Sequence, residues 1–163
     1  SRRQRQMCIR DSQYCVQMDC DFSHSFIDLK NLLAEINNSD LIIGSRYIKG
    51  GSTEGWGTYR KLLSKYANKL AKISLNSEIR DLTGGFKLMN REVISKILDS
   101  KPKSNGYTFQ IEVNQLVEKN LFEIKEVPIT FKERASGKSK MNFGIIVEAF
   151  FFLLKNFTNN IIK

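Results

Sequence analysis

A strand, a helix and a second strand follow one another within about 30 residues near the start of the chain, and this order constrains the fold strongly. Residues 14–18 form a short apolar run that predicts a buried strand. Ser25-Phe26-Ile27-Asp28 fits a capping box, and apolar residues then recur at helical spacing over 29–36. Residues 40–45 predict a second buried strand. The unit is βαβ-like and indicates an α/β fold with a parallel sheet.

Charged residues follow both of these strands. Asp19 and Asp21 come directly after the first strand, and Arg46 comes directly after the second. α/β proteins bind ligands at the carboxyl edge of the sheet, so we expect the three side chains to share one edge. Two carboxylates on the same side of an extended backbone suit Mg²⁺ or Mn²⁺. The alternative is a solvated turn, because Asp-x-Asp alone is common.

The net charge of +9 is the unusual feature of an otherwise ordinary globular composition. Such a charge predicts a polyanionic partner, which could be nucleic acid, an anionic membrane or a phosphorylated substrate. The aromatic residues crowd the C-terminus instead of alternating with the basic ones, and this weighs against single-stranded nucleic acid. The three cysteines lie within the first 20 residues without CxxC spacing, which indicates free thiols in a reducing compartment.

The two ends of the chain differ from its middle. Residues 1–13 are polar, basic and aperiodic and open on Ser1 without an initiator Met, so we expect a foreign segment or a disordered arm. A strand then begins abruptly, and we interpret the chain as a fragment that starts inside a domain. Near the other end, residues 145–154 predict an apolar helix that is too short to span a bilayer.

The middle of the chain contains a glycine-rich stretch and a long helix. Residues 50–57 predict a mobile lid or connector in preference to a phosphate cradle, because the Lys-Ser/Thr of a P-loop is absent. Residues 58–73 predict a basic amphipathic helix suited to an anionic membrane surface; the alternative is a surface helix packed on the core. Its apolar stripe consists of Tyr59, Leu62, Leu63, Tyr66, Ala67, Leu70 and Ile73. A polar row recurs every four residues at Arg60, Ser64 and Asn68.

Two further features concern anions and protons. Arg134, Lys138 and Lys140 belong to a basic loop that could fold over an anion, although a solvated turn is an equal alternative. His24 is the only histidine, and we expect it to be structural in preference to catalytic.

Several short motifs occur in a fixed order over residues 14–154 and together resemble polyprenol-phosphate mannosyltransferases (dolichol-phosphate mannose synthases) of glycosyltransferase family 2. The first motifs are Met18-Asp19-Cys20-Asp21-Phe22-Ser23-His24, Ile43-Gly44-Ser45-Arg46-Tyr47, Gly50-Gly51, and Trp56 with Arg60 and Ser64. The later ones are Arg80-Asp81-Leu82-Thr83-Gly84-Gly85-Phe86, Gly106-Tyr107-Thr108-Phe109-Gln110-Ile111-Glu112, Glu126-Val127-Pro128-Ile129 and Gly137-Lys138-Ser139-Lys140-Met141.

The resemblance implies the C-terminal part of a GT-A fold, Rossmann-like with a mostly parallel sheet, over residues 14–142. It leaves 143–163 as a C-terminal amphipathic helix and tail. It also implies inverting transfer of mannose from GDP-mannose to a polyprenyl (dolichyl) monophosphate, with Mg²⁺ or Mn²⁺ as cofactor. The expected location is the cytoplasmic face of a membrane, the ER in a eukaryote or the plasma membrane in a prokaryote. Attachment would be peripheral, and some relatives use a small membrane-anchoring subunit.

The resemblance also implies roles for individual residues. Asp19 and Asp21 match the metal-binding acids and, with Arg46, are the expected catalytic residues. The expected ligands of the acceptor phosphate are Arg46, Arg60 and Ser64, and the expected donor-sugar residues are Asp81, Gly84, Gly85 and Gln110. The family's nucleotide-base region would lie upstream, so we expect the chain by itself to be inactive.

Two alternatives remain at this point. A UDP-glucose- or UDP-N-acetylhexosamine-dependent polyprenyl-phosphate transferase would use the same acids and arginines. A non-enzymatic basic module for RNA or membranes is permitted by the charge, but it does not explain why Asp19, Asp21 and Arg46 converge on one edge. We therefore expect no nucleic-acid partner.

Overall fold

The structure is a computed structural model that describes residues 11–133, 151–154 and 156–157. The strands are β1 (Tyr14–Gln17), β2 (Leu41–Ser45), β3 (Ser52–Glu54), β4 (Lys87–Asn90), β5 (Ile124–Pro128) and β6 (Thr130–Lys132). The helices are α1 (Phe26–Leu33), α2 (Thr58–Leu75), α3 (Arg91–Ser100) and α4 (Gly106–Lys119). Residues 151–154 and 156–157 are also helical.

The main sheet has four strands in the order β1-β4-β2-β5. β4 pairs antiparallel with both of its neighbours, and β2 pairs parallel with β5. Three of the four strands therefore run in the same direction, with β4 reversed among them. The α/β class is confirmed. β1 and β2 are not adjacent as a simple βαβ unit would place them, because β4 lies between them.

The core occupies both faces of this sheet, because successive side chains of a strand point to opposite sides. Leu41 and Ile43 face a cluster that includes Ala71 and Leu75 of α2. Ile42 faces the other way, into a second cluster with Leu32 of α1. Helices therefore cover both faces, and β2 is fully buried between them.

The first strand differs from its prediction as a buried strand. β1 pairs with β4 on one side, and β4 is its only strand partner within the described residues. Tyr14 and Val16 are consequently more than one third exposed. An apolar run predicts a strand, but its burial depends on what lies on each side of it.

Local capping explains where α1 begins. The Ser25 side chain accepts a hydrogen bond from the backbone N–H of Asp28 at 3.0 Å and donates one to the Asp28 carboxylate at 2.8 Å. These bonds satisfy an N–H that the first turn of a helix would otherwise leave unpaired. The predicted helix start at Ser25 is confirmed, with the difference that the Asp28 carboxylate accepts from the Ser25 hydroxyl where a capping box would use the Ser25 backbone N–H.

The glycine-rich stretch was predicted to be a lid or connector, but three of its residues, Ser52–Glu54, form β3. β3 pairs in parallel with β6, and the two make a small second sheet beside the main one. Gly50 has a φ of +93°, a backbone conformation that residues with a Cβ rarely adopt. A Cβ on Gly51 would lie 2.5 Å from the carbonyl oxygen of Ser45. Backbone shape and close packing therefore explain this glycine pair.

The long helix forms where it was predicted, but its apolar stripe does not pack on the core. Tyr59 is 80% exposed and Tyr66 is 63% exposed. Leu62, Leu63, Leu70 and Ile73 are exposed as well, as is Ala67. The buried residues of α2 are Asn68, Ala71 and Leu75, on the side that carries the polar row. The helix therefore packs on the core, as the alternative had it, but it does so through Ala71 and Leu75 and leaves the apolar stripe exposed.

Other predictions concern the C-terminal part of the chain. The basic loop and most of the apolar helix over 145–154 lie outside the described residues. Within the described residues, no helix combines the length and the apolar character needed to cross a bilayer.

Candidate active site

The ends of three strands meet at one edge of the main sheet. Gln17, the last residue of β1, and Ile43 of β2 both pair with Lys87, the first residue of β4. β1 and β2 run in the same direction, so Asp19 and Arg46 leave the sheet at this edge. β4 runs the opposite way, so the glycines that precede it lie at the same edge. The predicted convergence of Asp19 and Arg46 is confirmed.

A cavity of about 210 Å³ opens at this edge. The residues from the sequence prediction that line it are Asp19, Arg46, Arg60, Gly84, Gly85 and Gln110. Three other predicted residues, Asp21, Ser64 and Asp81, stand outside its lining. The cavity thus places an acid from the end of β1 and two arginines around one space.

Arg46 and Asp81 form a buried ion pair behind the cavity wall. The Arg46 Nε and Nη2 atoms donate to the two Asp81 carboxylate oxygens at 2.8 and 2.7 Å, and the Arg46 backbone N–H donates at 3.0 Å. Burial acts to lower the pKa of Arg46, but the Asp81 charge and these hydrogen bonds outweigh it, so the pKa is raised and Arg46 stays charged. Asp81 is fully buried and acts on the cavity through Arg46.

The backbone that carries the two acids after β1 is not extended, so the geometry that the sequence predicted for them is wrong. The chain bends at residues 20–22, where Phe22 has a φ of +61°. Asp19 lines the cavity with a half-exposed side chain. Asp21 instead accepts hydrogen bonds from the hydroxyl and the backbone N–H of Ser23. Ser23 thereby fixes the orientation of Asp21.

The acids fit a hard divalent cation that keeps most of its ligands outside the protein. Among the described residues, no group of three or more His, Cys, Asp or Glu side chains is placed to hold a metal ion. Mg²⁺ usually needs only one or two carboxylates, because substrate phosphates and water supply its other ligands. The half-exposed carboxylate of Asp19, at the cavity, meets that requirement.

His24 is the buried neighbour of Asp19. Its ring packs against Phe86 and Phe131 at centroid distances of 4.5 and 5.2 Å, and its Nε2 lies 3.9 Å from an Asp19 oxygen. Burial lowers its pKa, against the opposing charges of Asp19 and Asp21. His24 is therefore neutral at pH 7 and is not a permanent cation at the cavity.

Arg60 projects from the first turn of α2 into the cavity. Its guanidinium carbon lies 4.1 Å from the centre of the Trp56 ring, a stacked cation–π arrangement. Its Nη1 donates to Glu133 at 3.1 Å, and the side chain is 34% exposed. Arg60 is thus held in place at the cavity but remains open to solvent, unlike Arg46.

The rest of the polar row on α2 braces the site from behind. The Tyr47 hydroxyl donates to the Ser64 hydroxyl at 2.7 Å. The Asn68 amide exchanges hydrogen bonds with Thr83, in the segment before the two cavity glycines. Thr83 in turn accepts a hydrogen bond from Arg46 at 2.9 Å. The polar row that recurs every four residues along α2 therefore faces the site.

The two glycines before β4 play different parts. A Cβ on Gly84 would lie 3.3 Å from the Asp81 carboxyl group, so this position is close-packed. A Cβ on Gly85 would meet nothing nearer than the Gln110 Nε2 atom, at 3.9 Å. Gly85 therefore keeps space open in the cavity beside Gln110.

Lys87 and Glu133 contribute to the site but are absent from the sequence prediction. Lys87 is completely buried, and its Nζ donates to Gln110. The signal that could have found it is a charged residue inside an apolar strand, between Phe86 and Leu88. Glu133 holds Arg60, and nothing in its sequence context distinguishes it from an ordinary surface acid. The predicted basic-loop residues Arg134, Lys138 and Lys140 lie outside the described residues.

The family model described as glycosyl transferase family 2 matches residues 8–98 of the chain. The chain belongs to glycosyltransferase family 2. Asp19 and several other residues that line the cavity, Arg60 among them, belong to the matched segment, and so does Lys87.

Two curated relatives are similar over most of the chain. It is 44% identical over 137 residues to the polyprenol monophosphomannose synthase of Mycolicibacterium smegmatis, a match that covers 83% of this chain and 52% of the relative. It is 37% identical over 134 residues to the undecaprenyl-phosphate mannosyltransferase of Micrococcus luteus, covering 82% of this chain and 55% of the relative. The chain spans about half the length of the curated relatives it matches.

Among solved structures, glucosyl-3-phosphoglycerate synthase from Mycobacterium tuberculosis shares the fold. The complex with phosphoglyceric acid matches with a TM-score of 0.59 and 15% identity, covering 90% of this chain and 50% of that chain. The complex with Mn²⁺, UDP-glucose and phosphoglyceric acid matches with a TM-score of 0.56 and 14% identity, covering 91% and 50%. At this identity the likeness concerns the fold alone, and it supports the GT-A architecture.

Lys87 makes stability depend on pH. Burial lowers its pKa from 10.5 to about 7, against the opposing charge of Asp81. Between these values the unfolded chain holds a proton that the folded chain has released, so the Lys87 contribution to stability rises with pH. Relative to Lys87→Met, the free energy of unfolding of the wild type should increase by up to about 1.4 kcal/mol per pH unit above pH 7.

Urea unfolding of both proteins at pH 7, 8 and 9 measures this difference. Lys119→Met, at an exposed position of α4, is the control and should differ from the wild type by the same amount at every pH. A difference between wild type and Lys87→Met that stays flat over this range would show that the folded protein keeps the Lys87 proton.

Proposed function

We propose that the chain carries part of the catalytic site of an enzyme that transfers mannose from GDP-mannose to a polyprenyl monophosphate with inversion. The observation that carries the proposal is the cavity that Asp19 lines together with Arg46 and Arg60. One such space gives a metal-bound donor diphosphate and an acceptor phosphate a common meeting point. The names of the two curated relatives support the choice of mannose and of a polyprenyl acceptor.

The chemistry of the acceptor explains why the site needs no strong base. The second pKa of a phosphate monoester is near 6, so at neutral pH the acceptor is mostly dianionic and already nucleophilic. His24, buried against Phe86 and Phe131, is then not required to remove a proton. The remaining task is to bring two phosphorylated reactants together and to manage their charge.

On the donor side, Asp19 would hold the divalent cation at the cavity, and Asp21, which Ser23 orients outside the lining, would serve as the second carboxylate. A bound Mg²⁺ or Mn²⁺ would neutralise the diphosphate that departs when the sugar is transferred. Gly84 and Gly85 with Gln110 line the part of the cavity where we place the sugar. The open space at Gly85 provides room for a ring there.

On the acceptor side, Arg60 is the residue that we expect to bind the phosphate directly. Its guanidinium is partly exposed, and Glu133, its carboxylate partner, is itself half-exposed. Guanidinium groups match phosphate oxygens with two parallel hydrogen bonds. Arg46 is already engaged by Asp81 through two nitrogens, so we propose that it fixes the shape of the cavity wall, and that Ser64 supports the site through Tyr47.

The exposed side of α2 provides a surface for the lipid. Its six large apolar side chains are uncovered, and Lys61, Lys65 and Lys69 belong to the same helix and are exposed. Apolar side chains that enter the interface and lysines that meet anionic headgroups are the features of a peripheral membrane helix. Arg60 leaves the same helix toward the cavity. We therefore propose that α2 docks on the membrane that holds the acceptor.

The function is tested by sugar transfer to a short polyprenyl phosphate in detergent. Because the curated relatives are about twice as long, the longest natural form of the protein is used. GDP-mannose with Mn²⁺ or Mg²⁺ should give lipid-linked mannose, whereas EDTA or Asp19→Asn should reduce the rate at least about 100-fold. UDP-glucose and UDP-N-acetylglucosamine are assayed in parallel, and faster transfer from either would assign the site to a different donor.

Arg60→Ala should raise the KM for the polyprenyl phosphate by about 10- to 100-fold and lower the rate, because a charge-assisted hydrogen bond to phosphate is lost. Arg60→Lys should fall between the variant and the wild type, because it keeps the charge without the paired geometry. Arg91→Ala, at an exposed position of α3, is the control. Unchanged kinetics for Arg60→Ala would remove Arg60 from the acceptor site.

The membrane surface of α2 is tested with paired leucines. Leu62→Ser with Leu70→Ser should lower the partition onto vesicles that contain anionic phospholipid by about tenfold or more, because buried apolar area is lost. Leu98→Ser with Leu121→Ser is the matched control, since these leucines are 50% and 90% exposed, compared with 50% and 60% for the first pair. Equal losses for both pairs in a sedimentation assay would refute a specific role for α2.

A further inference from the structure

Lys87 lies where an apolar residue would be expected. Its neighbours Phe86 and Leu88 point into one core cluster, and Lys87 points to the other face, beside Gln110 of α4. The side chain is completely buried. Among the described residues no carboxylate lies within ion-pair distance of its Nζ. Asp81 influences it electrostatically but forms its ion pair with Arg46.

The contacts of Lys87 fix the orientation of the Gln110 side chain. The Lys87 Nζ donates to the Gln110 Oε1 at 2.8 Å and to its backbone carbonyl oxygen at 3.3 Å. Both contacts of Nζ are made to oxygens of Gln110, and the amine has N–H groups to donate whether it is protonated or neutral, so it faces the oxygen of the amide. The amide NH₂ then points away from Lys87, and it lies 3.9 Å from the place where a Cβ on Gly85 would stand.

We propose that Lys87 is a positioning residue: it holds Gln110 so that the amide presents its NH₂ donor to the cavity and selects an acceptor oxygen of the sugar donor. The inference rests on the proposed function and deepens it. Two oxygens have this chemistry, a diphosphate oxygen and a sugar hydroxyl. Both would accept from the Gln110 NH₂, whereas a glutamine free to rotate could present its oxygen instead.

A purely structural role explains the lysine poorly. A methionine of similar length would fill the same space without the cost of burying a polar amine. Lys87 forms no ion pair among the described residues that would offset this cost, and its hydrogen bonds within them go to Gln110, which lines the cavity. The hydrogen bonds from Lys87 to Gln110 therefore explain why a lysine occupies this position.

The test is calorimetric binding of GDP-mannose, GDP and UDP-glucose with Mn²⁺ to the longest natural form of the protein. Lys87→Met and Gln110→Ala should each weaken binding about 3- to 10-fold, the amount expected for one hydrogen bond. The double variant should be no weaker than either single variant, because Lys87 acts through Gln110. Equal effects on GDP and GDP-mannose would assign the contact to the diphosphate, and an effect on GDP-mannose alone would assign it to the sugar.

Gln110→Glu provides a second test that does not depend on the stability of Lys87→Met. The new carboxylate can pair with Lys87 and keep the fold, but it turns an acceptor toward the cavity and should weaken binding more than tenfold. Wild-type affinity in Lys87→Met or in Gln110→Glu would overturn the role of Lys87, as would additive effects in the double variant.

A wild type that binds UDP-glucose instead of GDP-mannose would refute the proposed donor alone, and the same variants are then compared with UDP-glucose. A wild type that binds neither sugar nucleotide would refute both proposals.

Discussion

The buried pair of Arg46 and Asp81 is the interaction on which the site depends. Arg46 follows β2, and Asp81 belongs to the segment between α2 and β4, so the pair ties together two parts of the chain that are distant in sequence. The Asp81 backbone N–H also donates to Glu126 of β5 at 2.9 Å. Removing one partner of such a pair typically costs about 3–5 kcal/mol, because the other charge stays buried and unpaired. The position of Arg46 in the cavity wall therefore depends on this pair.

Arg60, the second arginine at the cavity, contacts the same Trp56 ring as Arg46. The Arg46 guanidinium lies 5.5 Å from the centre of the Trp56 ring, and Arg60 lies 4.1 Å from it. Two like charges near one indole would repel each other, but Asp81 neutralises the buried arginine and Glu133 binds the exposed one. Of the two, Arg60 can more readily leave its carboxylate, because that pair is partly in water. This difference in burial gives two arginines with the same chemistry two separate roles.

The sequence predicted what local chemistry determines. The helix start at Ser25 and the buried run of β2 were predictable, because a helix start and a buried strand depend on adjacent residues. The exposure of β1 was not, because the burial of a strand depends on its neighbours in space. The periodicity of α2 places Leu62 and Asn68 on different sides, but it does not say which side faces the core. In the site, the edge shared by Asp19 and Arg46 followed from topology. The position of Lys87 between Phe86 and Leu88 is unusual enough to mark it, but its contact with Gln110 could not be predicted, because that contact arises only from tertiary packing.

The two-sided character of α2 has a consequence for how such an enzyme would meet its acceptor. If the apolar side of α2 rests among headgroups, Arg60 of the same helix lies close to the membrane surface, and the isoprenoid tail of the proposed acceptor need not leave the bilayer. Encounters would then occur by lateral diffusion in two dimensions. Turnover would follow the mole fraction of acceptor in the leaflet, and diluting the membrane with other lipids would slow the reaction even at constant total acceptor.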